Sequence, residues 1–179
     1  MDSSDSIVLG LLSMGSEKAL SKIIMRYNDD LFRYAFSIVK DREMAEEVVS
    51  DVFIQLWNQK RRIKEILHLK RYLVTSIRNR ALSALSKQKL ELCSEEEVHV
   101  FPTYSDFRTL EDDVISKEFY EFVMNQIEGL PDRCKEVLVM AKITGLKQAE
   151  IAEILSISPK TVENTLSRAL KKLHEMVGS

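Results

Sequence analysis

The stretch Glu150–Leu173 reads EIAEILSISPKTVENTLSRALKKL, and it decides how the C-terminal part of the chain folds. Two helical patterns in it are separated by Ser156-Ile157-Ser158-Pro159. Ser158 is a suitable N-cap, and Pro159 suits the first helical position because its missing N–H has no intrahelical partner there. The stretch therefore predicts a short helix over about 147–155, a tight turn, and a second helix that begins at Pro159.

The second predicted helix has an apolar face and a polar face. Apolar residues recur at i, i+4, i+7, i+8 and i+11, and we expect all of them to be buried: Val162, Leu166, Ala169, Leu170 and Leu173. The outer face is polar, and half of its residues are basic: Lys160, Thr161, Glu163, Asn164, Ser167, Arg168, Lys171 and Lys172.

This pattern is typical of a helix-turn-helix, whose second helix lies in the major groove of DNA. Asn164 can pair with adenine and Arg168 with guanine or a phosphate, whereas Lys171 and Lys172 are better placed for phosphates. The alternative is an ordinary corner between two helices with a solvated outer face.

Helical periodicity also fills the N-terminal part of the chain, from Ser16 to about Lys89. Helix start and stop signals predict three helices there: one capped by Ser16 and running through Val39, one capped by Asp41 and spanning Arg42 to about Trp57, and one over about Leu69 to Ser86. In the C-terminal part, Pro131 predicts the first turn of a helix that runs to about Ile143 and stops at Gly145.

Between these two parts, residues 90–109 lose the helical periodicity and carry Pro102 and several acidic residues. An alternation typical of strands is limited to the four residues 98–101. We therefore predict an all-α fold with two small helical domains joined by a flexible acidic linker. The domain bounds are 10–89 and 110–179, the linker is 90–109, and the C-terminal domain is the one with the helix-turn-helix.

Charge is distributed in two blocks, although the formal net charge is only −2. From Lys60 to Lys89 there are ten basic residues and one acidic residue, and from Glu91 to Glu121 there are ten acidic residues and two basic ones. Blocks of like charge determine which partners bind more than the net charge of the chain does, so the basic block predicts a polyanion partner. By itself, the block fits a solvated face about equally well.

Several classes of protein are not expected. No apolar run approaches the roughly 18 residues that a membrane span needs, and MDSSDSIVLGLL lacks the basic start of a signal peptide, so we expect a cytoplasmic protein. Cys93 and Cys134 lie far apart, without zinc-site spacing, which predicts neither a metal nor a disulfide framework. No histidine belongs to a catalytic motif, so we predict no enzyme activity and no cofactor.

Three segments, in order, resemble the extracytoplasmic-function (ECF) type of the sigma-70 family of RNA polymerase sigma factors. Ala45–Trp57 (AEEVVSDVFIQLW) is similar to the helix that docks on the polymerase clamp. Tyr72–Leu85 (YLVTSIRNRALSAL) is similar to the helix that faces the −10 promoter element, and Leu130–Leu173 to the domain that reads the −35 element. The resemblance covers nearly the whole chain.

The resemblance implies partners and residue roles. Polymerase-binding residues would be Glu46, Glu47, Asp51, Gln55 and Trp57. Residues that open the −10 region and hold a flipped base would be Arg61, Arg62, Lys64, His68, Arg71, Arg78, Asn79 and Arg80, and a basic channel beside a loop suits the capture of a single strand. The polar face of the second helix of the helix-turn-helix would read the −35 element. The implied partners are core RNA polymerase, promoter DNA and an anti-sigma factor. The polymerase would be bound through the clamp and flap of its largest subunits. The anti-sigma factor is often membrane-spanning in this family.

The chain departs from the family pattern at a few positions. Ser156 stands in the turn where the family often has Gly, and Lys147 stands where a Ser or Thr often begins the preceding helix. Ser50 replaces a frequent Gln in the clamp helix. The competing hypothesis is a stand-alone dimeric helix-turn-helix regulator, which would bind a two-fold symmetric operator without polymerase.

Overall fold

The computed structural model describes residues 3–63, 66–92 and 125–177, which form two compact units. The first unit contains α1 (Ser3–Ser13), α2 (Glu17–Val39), α3 (Arg42–Asn58) and α4 (Leu69–Leu92). The second contains α5 (Asp132–Lys142), α6 (Gln148–Leu155) and α7 (Pro159–Val177), after a helical turn at 125–128. Within these described ranges every regular element is a helix, which confirms the predicted all-α class.

The expected linker is only partly covered by the described residues. Residues 90–92 belong to α4, so this part of the predicted linker is helical. Residues 93–109, with the strand-like 98–101, lie outside the described residues, as do 110–124 of the predicted C-terminal domain and Lys64 of the −10 set.

The predicted N-caps of α2 and α3 are confirmed. Ser16 Oγ accepts a hydrogen bond from the Ala19 N–H at 3.3 Å, and Asp41 Oδ1 accepts one from the Met44 N–H at 2.7 Å. Between these helices Lys40 adopts a left-handed conformation with a φ of 60°, and its N–H donates to the Phe36 carbonyl. This C-cap lets the chain end α2 and start α3 within two residues.

The core of the first unit is built by α2, α3 and α4, which pack against one another in all three pairs. Each helix buries residues spaced three and four apart, as an amphipathic helix must. All six apolar residues of α3 that the periodicity selects are buried: Ala45, Val48, Val49, Val52, Phe53 and Leu56. α2 contributes Tyr27, Leu31 and Tyr34 among others, and α4 contributes Leu69, Leu73, Val74, Ile77 and Ala81.

The sequence did not predict α1, which packs on α2. Leu9 and Leu12 are buried, while Ile7 and Leu11 are exposed, so apolar residues occupy both sides of the helix and no amphipathic period is visible. The Asp5 carboxylate accepts hydrogen bonds from Arg26 Nη1 and from the Tyr27 hydroxyl, each at 2.9 Å. These contacts join α1 to α2.

In the second unit, Pro131 lies just before α5 rather than in its first turn. Its carbonyl accepts from the Lys135 N–H at 3.0 Å, which makes it the N-cap, a position where the missing proline N–H again costs nothing. α5 and α6 both pack on α7. Arg133 of α5 donates to the carbonyl of Leu155, the last residue of α6, at 3.4 Å.

No helix among the described residues is both long and apolar enough to cross a membrane. The same part of the chain holds no group of three or more His, Cys, Asp or Glu side chains arranged for a metal ion.

Candidate nucleic-acid and polymerase interfaces

The turn between α6 and α7 is closed by backbone hydrogen bonds. Ser156 adopts a left-handed conformation (φ 52°, ψ 46°), and the Ile157 N–H donates to the Ala152 carbonyl at 3.0 Å, as in a Schellman motif. Ser156 therefore takes the conformation for which Gly is usually preferred. Two residues later Ser158 Oγ accepts from the Thr161 N–H at 3.0 Å, which confirms the predicted cap with Pro159 at the first helical position.

The start of α6 is only half capped. Lys147 is the N-cap residue, and its N–H donates to the Glu150 carboxylate at 2.9 Å. The reciprocal bond of a capping box requires a side-chain acceptor at the N-cap, and a lysine ammonium has none.

The buried face of α7 differs from the predicted one. Of the five residues expected to be buried, Val162 and Ala169 are buried, Leu166 and Leu173 are half-buried, and Leu170 is 40% exposed, while Thr165 is buried as well. The predicted burial of Leu170 was wrong because successive residues of a helix project about 100° apart, so the side chain next to Ala169 points to the edge of the packed face. Thr165 is polar and was therefore not among the residues that the apolar pattern predicted to be buried.

The opposite face of α7 carries the predicted −35 residues, and all eight are exposed. Five of them share one side of the helix, at i, i+4, i+7, i+8 and i+11: Lys160, Asn164, Ser167, Arg168 and Lys171. Lys160 Nζ contacts the Glu163 carboxylate at 2.9 Å, and Lys171 Nζ lies 4.0 Å from Glu175. The arrangement offers an amide at Asn164 and a guanidinium at Arg168, one turn apart, between two lysines.

The first unit contains a cavity of about 470 Å³ where α3 ends and α4 begins. Its lining combines apolar, amide, hydroxyl and basic side chains: Gln59, Arg62, Ile63, Ile66, Leu67, His68, Arg71, Tyr72 and Thr75. The Tyr72 hydroxyl donates to Gln59 Oε1 at 3.2 Å, and the Thr75 hydroxyl donates to the Arg71 carbonyl at 2.8 Å. The structure thus brings three predicted −10 residues, Arg62, His68 and Arg71, around one concave site.

The other predicted −10 residues fall into two groups. Arg78 and Asn79 follow Arg71 and Thr75 along one side of α4, at i, i+4, i+7 and i+8, and so extend the cavity's polar surface. Arg80 instead donates from Nη1 to Asp51 Oδ2 of α3 at 2.8 Å. Arg61 is exposed in the segment that precedes the cavity residues.

The predicted polymerase face of α3 is centred on an exposed apolar residue. Glu47, Ser50, Asp51 and Ile54 lie at i, i+3, i+4 and i+7, and Ile54 is 57% exposed. At the edges of this face Glu46 pairs with Arg42 at 2.9 Å, and Lys60 Nζ lies 3.9 Å from the centroid of the Trp57 ring. Gln55 is half-buried at the other edge.

Sequence reasoning missed four side chains of these surfaces: Ile54, Gln59, Tyr72 and Thr75. Ile54 had a visible signal, because it interrupts an otherwise polar helix face. Gln59 and Tyr72 had none, since they are 13 positions apart and meet only when α3 and α4 pack together.

Two family models match the chain. Sigma-70 region 2 matches residues 23–91, and Sigma-70, region 4 matches residues 123–173. Curated relatives include the ECF RNA polymerase sigma factor SigW of Bacillus subtilis, which is 24% identical over 91% of each chain. The ECF RNA polymerase sigma-E factor of Haemophilus influenzae is 22% identical over 97% of this chain and 95% of that protein.

Solved structures show the same fold. The sigma factor RpoE of Bartonella quintana, in complex with the anti-sigma factor NepR, superposes with a TM-score of 0.73 at 19% identity, over 90% of this chain and 98% of that one. CnrH, in complex with the cytosolic domain of CnrY, superposes with a TM-score of 0.65 at 20% identity, over 97% of both chains. With both sigma-70 regions matched in order and ECF relatives aligned over almost its whole length, the chain belongs to the ECF type of the sigma-70 family.

Proposed function

We propose that this protein binds core RNA polymerase and directs it to promoters by recognising their −10 and −35 elements, with no catalytic step of its own. The observation that carries the proposal is the outer face of α7, where eight polar side chains, five of them basic or amide, are exposed beyond a capped helix-turn-helix. A helix presented in this way fits the major groove, with Asn164 and Arg168 at base edges and the lysines at phosphates.

The cavity of the first unit supports a role at the −10 element. A base can be read on its pairing edge only after it leaves the stack, and proteins hold such a base in a pocket of polar and apolar side chains beside a basic surface. The cavity provides the pocket, and Arg71, Arg78 and Asn79 provide a polar track along α4. We assign the capture of a single −10 base to this cavity.

The exposed side of α3 supports the binding of core polymerase. Its carboxylates at Glu47 and Asp51 flank the exposed Ile54, so the surface offers acidic groups around an apolar centre. That composition suits a basic partner surface with an apolar contact at its middle.

An anti-sigma factor is the remaining proposed partner. Of the two solved structures described above, one is a sigma factor in complex with the anti-sigma factor NepR, and the other is CnrH in complex with the cytosolic domain of CnrY. We propose a partner of the same kind here, acting in the cytoplasm, where polymerase and promoter DNA are found.

Transcription in vitro tests the proposed function. The purified protein is added to sigma-free core polymerase with fragmented genomic DNA, and the 5′ ends of the transcripts are sequenced. We expect discrete new start sites that share upstream −35 and −10 sequences. An absence of such starts, together with two-fold symmetric footprints on duplex DNA without polymerase, would instead establish a stand-alone dimeric regulator.

A further inference from the structure

Arg80 projects from a different side of α4 than the other two arginines of that helix. Successive residues of a helix project about 100° apart, so Arg80 points about 180° away from Arg71 and about 160° away from Arg78. Arg80 instead follows Leu73 and Ile77 at i, i+4 and i+7, and both of these apolar residues are fully buried. Its side chain therefore leaves α4 on the side that packs into the core of the first unit.

The guanidinium of Arg80 is held between α4 and α3. Its Nη1 donates to Asp51 Oδ2 at 2.8 Å, and its Nε is buried with no hydrogen-bond partner among the described residues. Only Nη2 is left for a further contact, whereas an arginine that recognises guanine or a phosphate commonly uses two nitrogens at once. Arg80 is therefore poorly placed for the DNA contact that the sequence predicted for it.

The partner of Arg80 belongs to the proposed polymerase surface of α3. Asp51 lies on the same face as Glu47 and Ile54, and its side chain is 38% exposed. A carboxylate can accept several hydrogen bonds, so Oδ1 of Asp51 can accept from a second donor while Oδ2 stays on Arg80. The ion pair holds the carboxylate in one orientation, and this lowers the ordering cost when a basic partner binds.

We propose that Arg80 is a positioning residue of the polymerase-binding surface, that it acts by orienting the Asp51 carboxylate, and that it makes no contact with the −10 element. The proposal rests on the proposed function, because it assumes that core polymerase binds this face of α3. It reassigns one residue of the predicted −10 set and leaves the proposed roles of Arg71, Arg78 and Asn79 unchanged.

Titration of the labelled full-length protein with core polymerase tests the proposal. We expect Arg80→Ala to lower the affinity by about fivefold, because the released carboxylate must then be ordered on binding. Arg80→Lys keeps a cation that can reach Asp51 and should recover most of the affinity. Lys89→Ala removes the same charge from an exposed site of α4 and should leave the affinity unchanged.

A double-mutant cycle separates this role from a general effect on the fold. Combined with Asp51→Ala, the Arg80→Ala substitution should cause no further loss of affinity, because the carboxylate that Arg80 orients is already gone. Combined with Glu47→Gln, it should still cause the fivefold loss. If Arg80 only supported the packing of α4, its removal would lower the affinity equally in both backgrounds, and that result would overturn the inference.

Permanganate reactivity of the −10 thymines, measured at saturating core polymerase, tests whether Arg80 contacts the −10 element. Arg80→Ala should open this region as fully as the wild-type protein does. Reduced thymine reactivity in Arg80→Ala, or an affinity for core polymerase equal to that of the wild type, would also overturn the inference. If the wild-type protein neither binds core polymerase nor yields discrete start sites, the proposed function itself fails.

Discussion

At the scale of single residues, the structure separates two carboxylates that sequence reasoning had grouped together on α3. Asp51 is bound to Arg80 of α4, so substituting it also removes an intrachain partner. Glu47 is exposed on the same face and is the cleaner probe of polymerase binding.

We expect Glu47→Lys to weaken the affinity for core polymerase by about tenfold, because it places a like charge against a basic partner surface, and to leave the fold intact. Titration of labelled protein with core polymerase measures this change. Asp29→Lys makes the same change at an exposed carboxylate of α2 and should have little effect. Equal affinities of Glu47→Lys and the wild type would remove this face from the proposed interface.

Also at the residue scale, Asp30 links the stability of the first unit to pH. Burial raises the pKa of the Asp30 carboxyl above its ordinary 3.8, and the repulsion of Asp29 adds to this, while the attraction of Arg33 and Lys70 opposes it. The folded state therefore holds this proton more tightly than the unfolded state does, so the free energy of unfolding falls as pH rises from 3.8 through the folded-state pKa.

We expect Asp30→Asn to raise the free energy of unfolding at pH 7, because it removes a half-buried charge, and to give no such gain at pH 3.8 or below. Urea denaturation at several pH values measures the difference. Glu47→Gln, at an exposed carboxylate, should change stability by less than about 0.5 kcal/mol. A gain from Asp30→Asn that is the same at all pH values would exclude the ionised carboxylate as its cause.

At the scale of elements, the helix-turn-helix contains one incomplete cap. The N-cap of α7 has its side-chain bond, from Ser158 to the Thr161 N–H, whereas the N-cap of α6 has only the bond to Glu150. We expect Lys147→Ser to complete the capping box and to stabilise α6 by about 1 kcal/mol.

Hydrogen exchange of the α6 amides measures the effect of this substitution locally. Lys147→Ala removes the same ammonium without adding an acceptor, so it serves as the control and should give no gain. Equal protection in the two variants would mean that the loss of the lysine charge, rather than the new acceptor, stabilises the helix.

How far the sequence predicts these elements depends on whether the signal is local. The caps of α2, α3 and α7 were predicted correctly because Ser16, Asp41 and Ser158 bond to backbone N–H groups three residues on. The structure ends α4 at Leu92, beyond the predicted end at Ser86. No Gly or Pro marks the true end of this helix, and Lys87–Leu90 keep a composition that favours a helix. α1 was missed because its burial depends on packing against α2.

At the scale of the whole molecule, the sequence predicted which side chains of the candidate surfaces are exposed better than it predicted the contacts between helices. The exposed face of α7 follows from the period of one helix, so all eight of its residues are at the surface as expected. The pairing of Asp51 with Arg80 and the bond between Gln59 and Tyr72 join residues 29 and 13 positions apart, and no local pattern encodes them. The cavity forms only where α3 packs against α4, so no local pattern in the sequence reveals it.

At the same scale we can predict how the effects of substitutions on the two promoter elements combine. The proposed −35 residues all lie in the second compact unit and the described −10 residues in the first, and the two sets share no residue. Substitutions at sites that share no contacting residue usually have additive free energies, within about 0.5 kcal/mol. We therefore expect Arg168→Ala to change preference only in the −35 element, Asn79→Ala to impair only −10 opening, and the double variant to show the sum.

Transcription from promoters varied separately in the two elements gives the free energies, and permanganate reactivity of the −10 thymines reports opening. For Arg168→Ala we expect a loss of about 1–3 kcal/mol in −35 discrimination, the worth of one good base contact, with unchanged thymine reactivity once the complex has formed. A double variant that departs from additivity by more than about 1 kcal/mol would show that the two recognition events are coupled, so the elements could no longer be treated as read independently by two units of one chain.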